Sequence, residues 1–532
     1  MRARARFRLA GLLAGAAAAS ANAAPSSDAA RLRELVRAYR SAHEAAIVRE
    51  LADLLAIPNV ASDSANIERN AEAISRALER RGVRAERLVV PGAPPAVYGE
   101  LAAPGARRTV VFYAHYDGQP VTPADWSGDP WKPVLRDRPP RDGGLAIPAS
   151  APPARIDPEW RIYARSASDD KAPIVGLLAA LDALRAAGRG PSVNVKFFFE
   201  GEEEAGSPHL ADILSRHVDR LRADAWLLCD GPVDPSRRMQ LFFGARGITD
   251  VEMTLYGPAR PLHSGHYGNW AVNPISELAR LLASMRDDEG RILVSGFTDD
   301  VRPITDAERR ALEEVPRNDE ALRRELLLGR TEGGGAPLLE QLLLPAMNVR
   351  GIAGGAVGAR AANAIPTSAT ASIDFRLVPD QTPERVQRRI EEHLTRLGYE
   401  IVREDPSPAL RGSRPRVARL VWGPGYPAAR TPLDAPASLA VTRAAEEATG
   451  SPVLRLPTLG GSIPMYLFAD ILKAPVVGVP VVNHDNNQHA ADENLRLQNL
   501  WDAIELYATL MTRLEADWPP GAARAGAAGP RR

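Results

Sequence analysis

The sequence is poor in cysteine: Cys229 is the only one in 532 residues. That excludes a fold stapled by intrachain disulfides, and a chain this long can build a core large enough to do without them. No charge of either sign prevails. Lys plus Arg and Asp plus Glu are both 66, so the formal net charge is zero, which excludes a broad electrostatic grip on nucleic acid or on an acidic membrane. Small molecules or peptides are the expected partners. Internal repeats are lacking too, and beyond the N-terminus no apolar run is long enough to read as a membrane span.

What is present fits a soluble globular chain, with 45% hydrophobic and 25% charged residues. The length exceeds what one core usually serves, so two domains, or one with a large insertion, are expected. Arg2, Arg4, Arg6 and Arg8 precede an apolar run from Leu9 to Ala19, and Ala21-Asn22-Ala23 follows. These are the three parts of a secretory signal, with cleavage expected after Ala23 and an exported, periplasmic or secreted product. The run falls short of the roughly 20 residues of a spanning helix, and no cysteine stands at the cleavage site, so no stable membrane anchor is expected.

Periodicity along the chain predicts an α/β fold. Leu32 to Leu55 has helical spacing and ends at Ile57-Pro58. Thr109 to Ala114, Val193 to Phe199, Ala225 to Cys229 and Val476 to Val482 are short apolar runs of the kind that form buried strands. Lys171 to Ala187 repeats leucine at helical spacing between the first two. Strands alternating with helices imply a mostly parallel sheet with helices on both faces, and chemistry gathered beyond the carboxyl ends of its strands. From 241 to 410 the pattern changes. Ile248 to Leu255 and Ala369 to Leu377 alternate like half-exposed strands, with helices near 275–286 and 383–397, which suggests an inserted α+β domain. The boundaries are therefore a signal at 1–23, a first domain over 28–240 resuming over 411–515, and a disordered tail over 516–532. Arg136 to Arg155, rich in Pro and Arg, reads as a surface excursion.

Chemistry-bearing residues fall at strand ends. His115 and Asp117 are two apart on extended backbone, so they can converge on one spot. The second strand runs into Glu200, Glu202, Glu203 and Glu204, four carboxylates that would repel one another without compensating cations. Asp230 follows the third strand, Asp169 and Asp170 open the helix at Lys171, and His489 lies a few residues past the last strand. Two histidines and several carboxylates at one sheet edge suit a pair of zinc-like ions and a water acidic enough to attack a carbonyl.

These residues sit in motifs that resemble the M20 metallopeptidases, and within them the carnosinase-like, cytosolic nonspecific dipeptidase branch. The motifs are His115-Tyr116-Asp117-Gly118-Gln119-Pro120, Ser168-Asp169-Asp170-Lys171, Glu200 to Ser207, Leu262-His263-Ser264-Gly265, Phe375 to Pro379, Gly460 to Pro464, and His489 with Glu493. The resemblance covers roughly Glu50 to Thr512. It implies that Asp169 bridges two divalent ions, zinc first and manganese or cobalt as alternatives. His115 and Asp230 would complete one site, Glu204 and His489 the other. Asp117 would orient His115, and Glu203 would act as general base. A cis peptide after Asp169 is implied as well. The inserted segment would be a lid or dimerisation domain, with His263 reaching the active site of a second subunit in a homodimer. Arg376, Asn363 and Ser462 would contact a short peptide substrate, Arg376 through its free carboxylate.

The sequence departs from that pattern in places. Ala164-Arg165-Ser166 replaces Gly-Arg-Gly, Pro261 replaces an acid, Thr458-Leu459 replaces Arg-Glu, and Gly231-Pro232 stands where an aromatic is familiar. The last two touch the substrate end of the pocket. A dipeptidase is the leading expectation. An N-acyl amino acid deacylase or a carboxypeptidase, a single-domain aminopeptidase, and a non-catalytic peptide-binding scaffold remain open.

Overall fold

The computed structural model describes residues 27–519. Its centre is an eight-stranded mixed sheet in the order Arg84–Leu88, Ala96–Leu101, Asn194–Glu200, Thr109–His115, Ala225–Leu228, Val476–Gly478, Gln240–Phe242, Leu454–Leu456. The four strands from Asn194–Glu200 to Val476–Gly478 run parallel to one another. The first two strands pair antiparallel at one edge. The sheet is thus parallel where the apolar runs predicted it and antiparallel only towards its margins. Past the strand Val476–Gly478 the Val479 N–H still donates to Leu228 O, and Pro480 then has no N–H to give to a ladder.

Both faces are covered. On one side Ser27–Leu55, Lys171–Ala186, Pro436–Thr449 and Leu497–Asp517 pack on Phe112, Phe197 and Phe199. On the other, Phe198, Trp226, Phe242 and Phe468 form a second cluster. Alternation along Phe197-Phe198-Phe199 sends successive rings to opposite faces. Each fully buried ring contributes about 1.5–3 kcal/mol through the apolar surface it removes from water.

A five-stranded sheet has its own apolar cluster, built on Met253, Leu281, Phe375 and Ile390. Its order is Ala346–Ala353, Ser368–Leu377, Gly247–Tyr256, Val417–Trp422, Glu400–Val402, antiparallel except for the last pair. Helices Pro274–Met285 and Pro383–Arg396 flank it, each begun by a proline and an N-cap side chain, Asn273 or Thr382.

The stretch read as a surface excursion is more ordered than that. Val134–Arg136 and Ala146–Pro148 form a hairpin in a four-stranded sheet with Arg161–Tyr163 and Asn494–Arg496. Composition concealed it, since three-residue strands carry too little alternation to register. At the other end, Ala516 and Asp517 belong to the last helix, and the rest of the expected tail beyond 519 lies outside the described residues.

Candidate metal centre

The parallel strands deliver their side chains to one edge. His115 ends its strand opposite Glu200 in register, and Asp230 lies two residues past Leu228 on the neighbouring strand. His115 is fully buried. Its Nε2 lies 2.8 Å from Asp169 Oδ1 and its Nδ1 3.3 Å from Asp117 Oδ1. The Asp117 carboxylate in turn accepts the backbone N–H groups of Glu203 and Glu204 at 3.1 and 3.0 Å. One buried carboxylate therefore holds both the imidazole and the turn that carries the glutamates. The backbone here is tightly packed: a Cβ at Gly118 would collide with Ser166 Oγ in the loop that leads to Asp169.

Five of the expected ligands, with Asp170 added, fall into two groups whose donor atoms lie within 4.8 Å of one another. One is His115, Asp170 and Asp230, and the other is Asp169, Glu204 and His489. Asp169 connects them: its Oδ1 faces His115, and its Oδ2 lies 3.1 Å from His489 Nε2. Glu204 Oε2 is 3.2 Å from the same His489 nitrogen and accepts a 2.7 Å hydrogen bond from Gln119 Nε2. The Asp169–Asp170 peptide is cis, as the resemblance implied.

Carboxylates crowded into this buried edge disfavour one another's charge. Burial, then the neighbouring carboxylate of Asp169, pushes Asp230 up to about 6 and Glu204 up to about 7. Burial and the Asp230 and Asp169 carboxylates push Asp170 and Glu203 well above the ordinary range. Asp169 is the exception: burial works against its charge, but hydrogen bonds from His115 and His489 hold it low. Burial also works against a charged His115, yet Asp117 and Asp169 raise it well above the usual histidine value. Asp170 Oδ1 is buried with no hydrogen-bond partner among the described residues. Nitrogen and oxygen donors in two adjoining clusters, with an orphaned carboxylate oxygen, fit divalent cations.

The run Glu200–Glu204 divides its labour. Glu200 accepts the Tyr113 hydroxyl at 2.7 Å, and Glu202 pairs with His209 Nδ1 at 3.0 Å. Only Glu203 and Glu204 remain for the site, since Glu200 and Glu202 are committed to partners of their own.

The expected substrate contacts form two further sets. Arg376 Nη1 donates to Ser462 Oγ at 2.9 Å, and Arg376 Nε to Asp374 Oδ2 at 3.2 Å. His263 and Asn363 meet where the strand Leu262–His263 pairs with Ala364–Ile365, and the Ser264 N–H donates to Asn363 O at 2.9 Å. Among the described residues neither makes a hydrogen bond or ion pair with the carboxylate cluster, and His263 is exposed. Sequence reasoning noted Asp170 at the helix start and quoted Gln119 in a motif, but gave neither a role. Each stands beside an assigned residue in a quoted motif, and that adjacency was the available signal.

Similarity to known proteins agrees with this geometry. The Peptidase family M20/M25/M40 model matches residues 111–513. Cys-Gly metallodipeptidase dug1 of Schizosaccharomyces pombe is 26% identical over 444 residues, 80% of this chain and 84% of that protein. Human Beta-Ala-His dipeptidase is 26% identical over 430 residues, 79% and 78% of the two chains. Among solved structures, the M20 family metallo-carboxypeptidase Sso-CP2 from Sulfolobus solfataricus has a TM-score of 0.69 at 28% identity, covering 88% of this chain and 98% of its own.

The expectation of export is corrected by the same comparison, because the likeness to Cys-Gly metallodipeptidases and Beta-Ala-His dipeptidases brings no support for a secretory signal. The signal reading rested on residues 1–23, which lie outside the described residues. Its apolar run is mostly Ala and Gly, which bury little apolar surface and make the pattern a weak discriminator. Among the described residues no helix is long and apolar enough to cross a membrane. With a family match across most of its length and the expected residues gathered at one sheet edge, the chain belongs to peptidase family M20/M25/M40.

Proposed function

We propose that this protein hydrolyses the amide bond of dipeptides or short peptides, using two divalent metal ions and Glu203 as general base. The observation that carries the proposal is Asp169, with one oxygen on His115 and the other on His489. His115 and Asp230 would hold one ion, Glu204 and His489 the other, and Asp169 both. Bound there, the ions supply Lewis-acid activation of a water and of the scissile carbonyl. Zinc suits the nitrogen and oxygen donors, and manganese or cobalt would also be accepted.

The protein's part is positioning and proton transfer. Asp117 fixes the ring of His115 and, through two backbone N–H groups, the turn bearing Glu203. Glu203 accepts a proton from the attacking water and returns it to the leaving nitrogen. Cations in the cluster lower its affinity for protons, which burial beside Asp230 and Asp169 otherwise raises. Arg376, steadied by Asp374 and Ser462, offers a planar fork to the substrate's carboxylate.

The segment 241–410 serves as a lid and dimerisation domain, His263 completes the pocket of a second copy, and Asn363 contacts substrate. Supporting this, Trp270, Val272, Ile352 and Val357 are large apolar residues left 80%, 54%, 60% and 83% exposed. The strand Ala346–Ala353 also stands at a free sheet edge. Light scattering should give twice the chain mass.

A second reading, a carboxypeptidase or deacylase, is favoured by the likeness to Sso-CP2, since the same residues would serve it. Metal analysis coupled to hydrolysis of a dipeptide panel beside N-acyl amino acids decides between the two. Turnover of dipeptides with about two metal ions per chain is expected, whereas cleavage of the acylated set alone selects the second reading.

A further inference from the structure

The loop Ala164–Asp170, which presents Asp169, is a run of turns between the short strand Arg161–Tyr163 and the helix Lys171–Ala186. It has no strand ladder to satisfy its buried backbone donors, and Ser166 takes a positive φ of 60°. One side chain replaces the ladder. Glu493 is fully buried, and its two oxygens accept five hydrogen bonds from this loop. Oε1 accepts from Ser168 N, Ser168 Oγ and Asp169 N, all at 2.9 Å. Oε2 accepts from Ser166 N at 2.9 Å and Arg165 Nη1 at 2.8 Å. Its backbone carbonyl takes a sixth donor, Ala164 N, at 3.2 Å.

From these contacts we infer that Glu493 is a positioning residue for the metal centre: it fastens the Arg165–Asp169 segment so that Asp169 faces both ligand groups. This rests on the reading that two cations bind there. Glu493 lies four residues after His489, so a single carboxylate ties together the two loops that carry Asp169 and His489. Arg165 is held in turn over the Trp126 ring at 5.1 Å. At Ser166, where the family pattern has glycine, the left-handed backbone is held by the N–H bond to Glu493.

Asp169 offers one oxygen to each group, so displacing it weakens both sites together. Glu493→Gln keeps the volume but turns an NH2 towards donors that need an acceptor. In the full chain, competition between the protein and a chromophoric chelator for Zn²⁺ alone reads the affinity of each equivalent, while the melting point of the metal-free protein reads stability separately. Both equivalents should weaken about 10–100-fold in Glu493→Gln, as loss of a group that orients a ligand does. A lowered melting point with wild-type affinity for both ions, or a loss confined to one equivalent, overturns the assignment.

If Glu493→Gln does not fold, Ser168→Ala removes one of the five bonds and should weaken both equivalents a few-fold. Unchanged affinity there overturns it equally. Wild-type protein that takes up fewer than two zinc ions fails the two-metal reading and this inference together. Wild-type protein with two ions but insensitive variants fails the inference alone.

Discussion

The two donor groups differ in how the fold encloses them. His115, Asp170 and Asp230 sit at the ends of central parallel strands and at a helix start, with His115 and Asp170 fully buried. In the other group Asp169 and Glu204 are nearly as enclosed, but the His489 side chain is 55% exposed and opens that group to solvent. Two members of the inner group, His115 and Asp230, follow directly from sheet strands, whereas every member of the outer group sits on a loop or short turn held by side chains. The contrast teaches that an ion in the outer group should exchange with solvent while one in the inner group is retained.

The sharpest way to break this distinction is to remove what the groups share. Asp169→Asn should release both ions and leave no measurable turnover, with metal content as the check; retention of one tightly bound ion would show that the inner group stands alone. Glu203→Gln should lower kcat by about 10²–10⁴-fold, the usual worth of a positioned general base, while metal analysis still gives about two ions per chain. Asp117→Asn loosens His115 directly and Glu204 only through its backbone N–H, so affinity should fall about 10–100-fold at the inner equivalent and by less at the outer. Smallest is Gln119→Met, which deletes one hydrogen bond to Glu204: the outer equivalent should weaken by about tenfold or less, and a chelator should strip it faster.

Much of the inner group was legible in the sequence, because an apolar strand that ends in a charged residue is a strong local signal. Thr109 to His115 and Asn194 to Glu200 show it plainly. Glu202 illustrates the limit: its partner, His209, lies seven residues on, and nothing in the pattern separates a structural carboxylate from a ligand. The role of Glu493 was not legible either. It acts across more than 320 residues on backbone N–H groups, which have no side-chain signature. The hairpin at 134–148 escaped because Pro and Arg dominate its composition and its strands are three residues long. Where His263 acts is a question of assembly, so one chain's pattern speaks to it only through the motif around it.

Lys171 follows the two aspartates and is entirely buried, its Nζ donating to the carbonyl oxygens of Leu54 and Ile57 at 2.9 and 3.0 Å. Those carbonyls close the long first helix, so the amine is a rivet between the opening element of the fold and the helix behind the metal-binding loop. Trimming the chain past Leu55 would remove the Leu54 carbonyl and leave the buried amine with Ile57 alone. The last turn of the first helix is therefore no dispensable overhang, and a shortened form that keeps the rivet whole has to retain it.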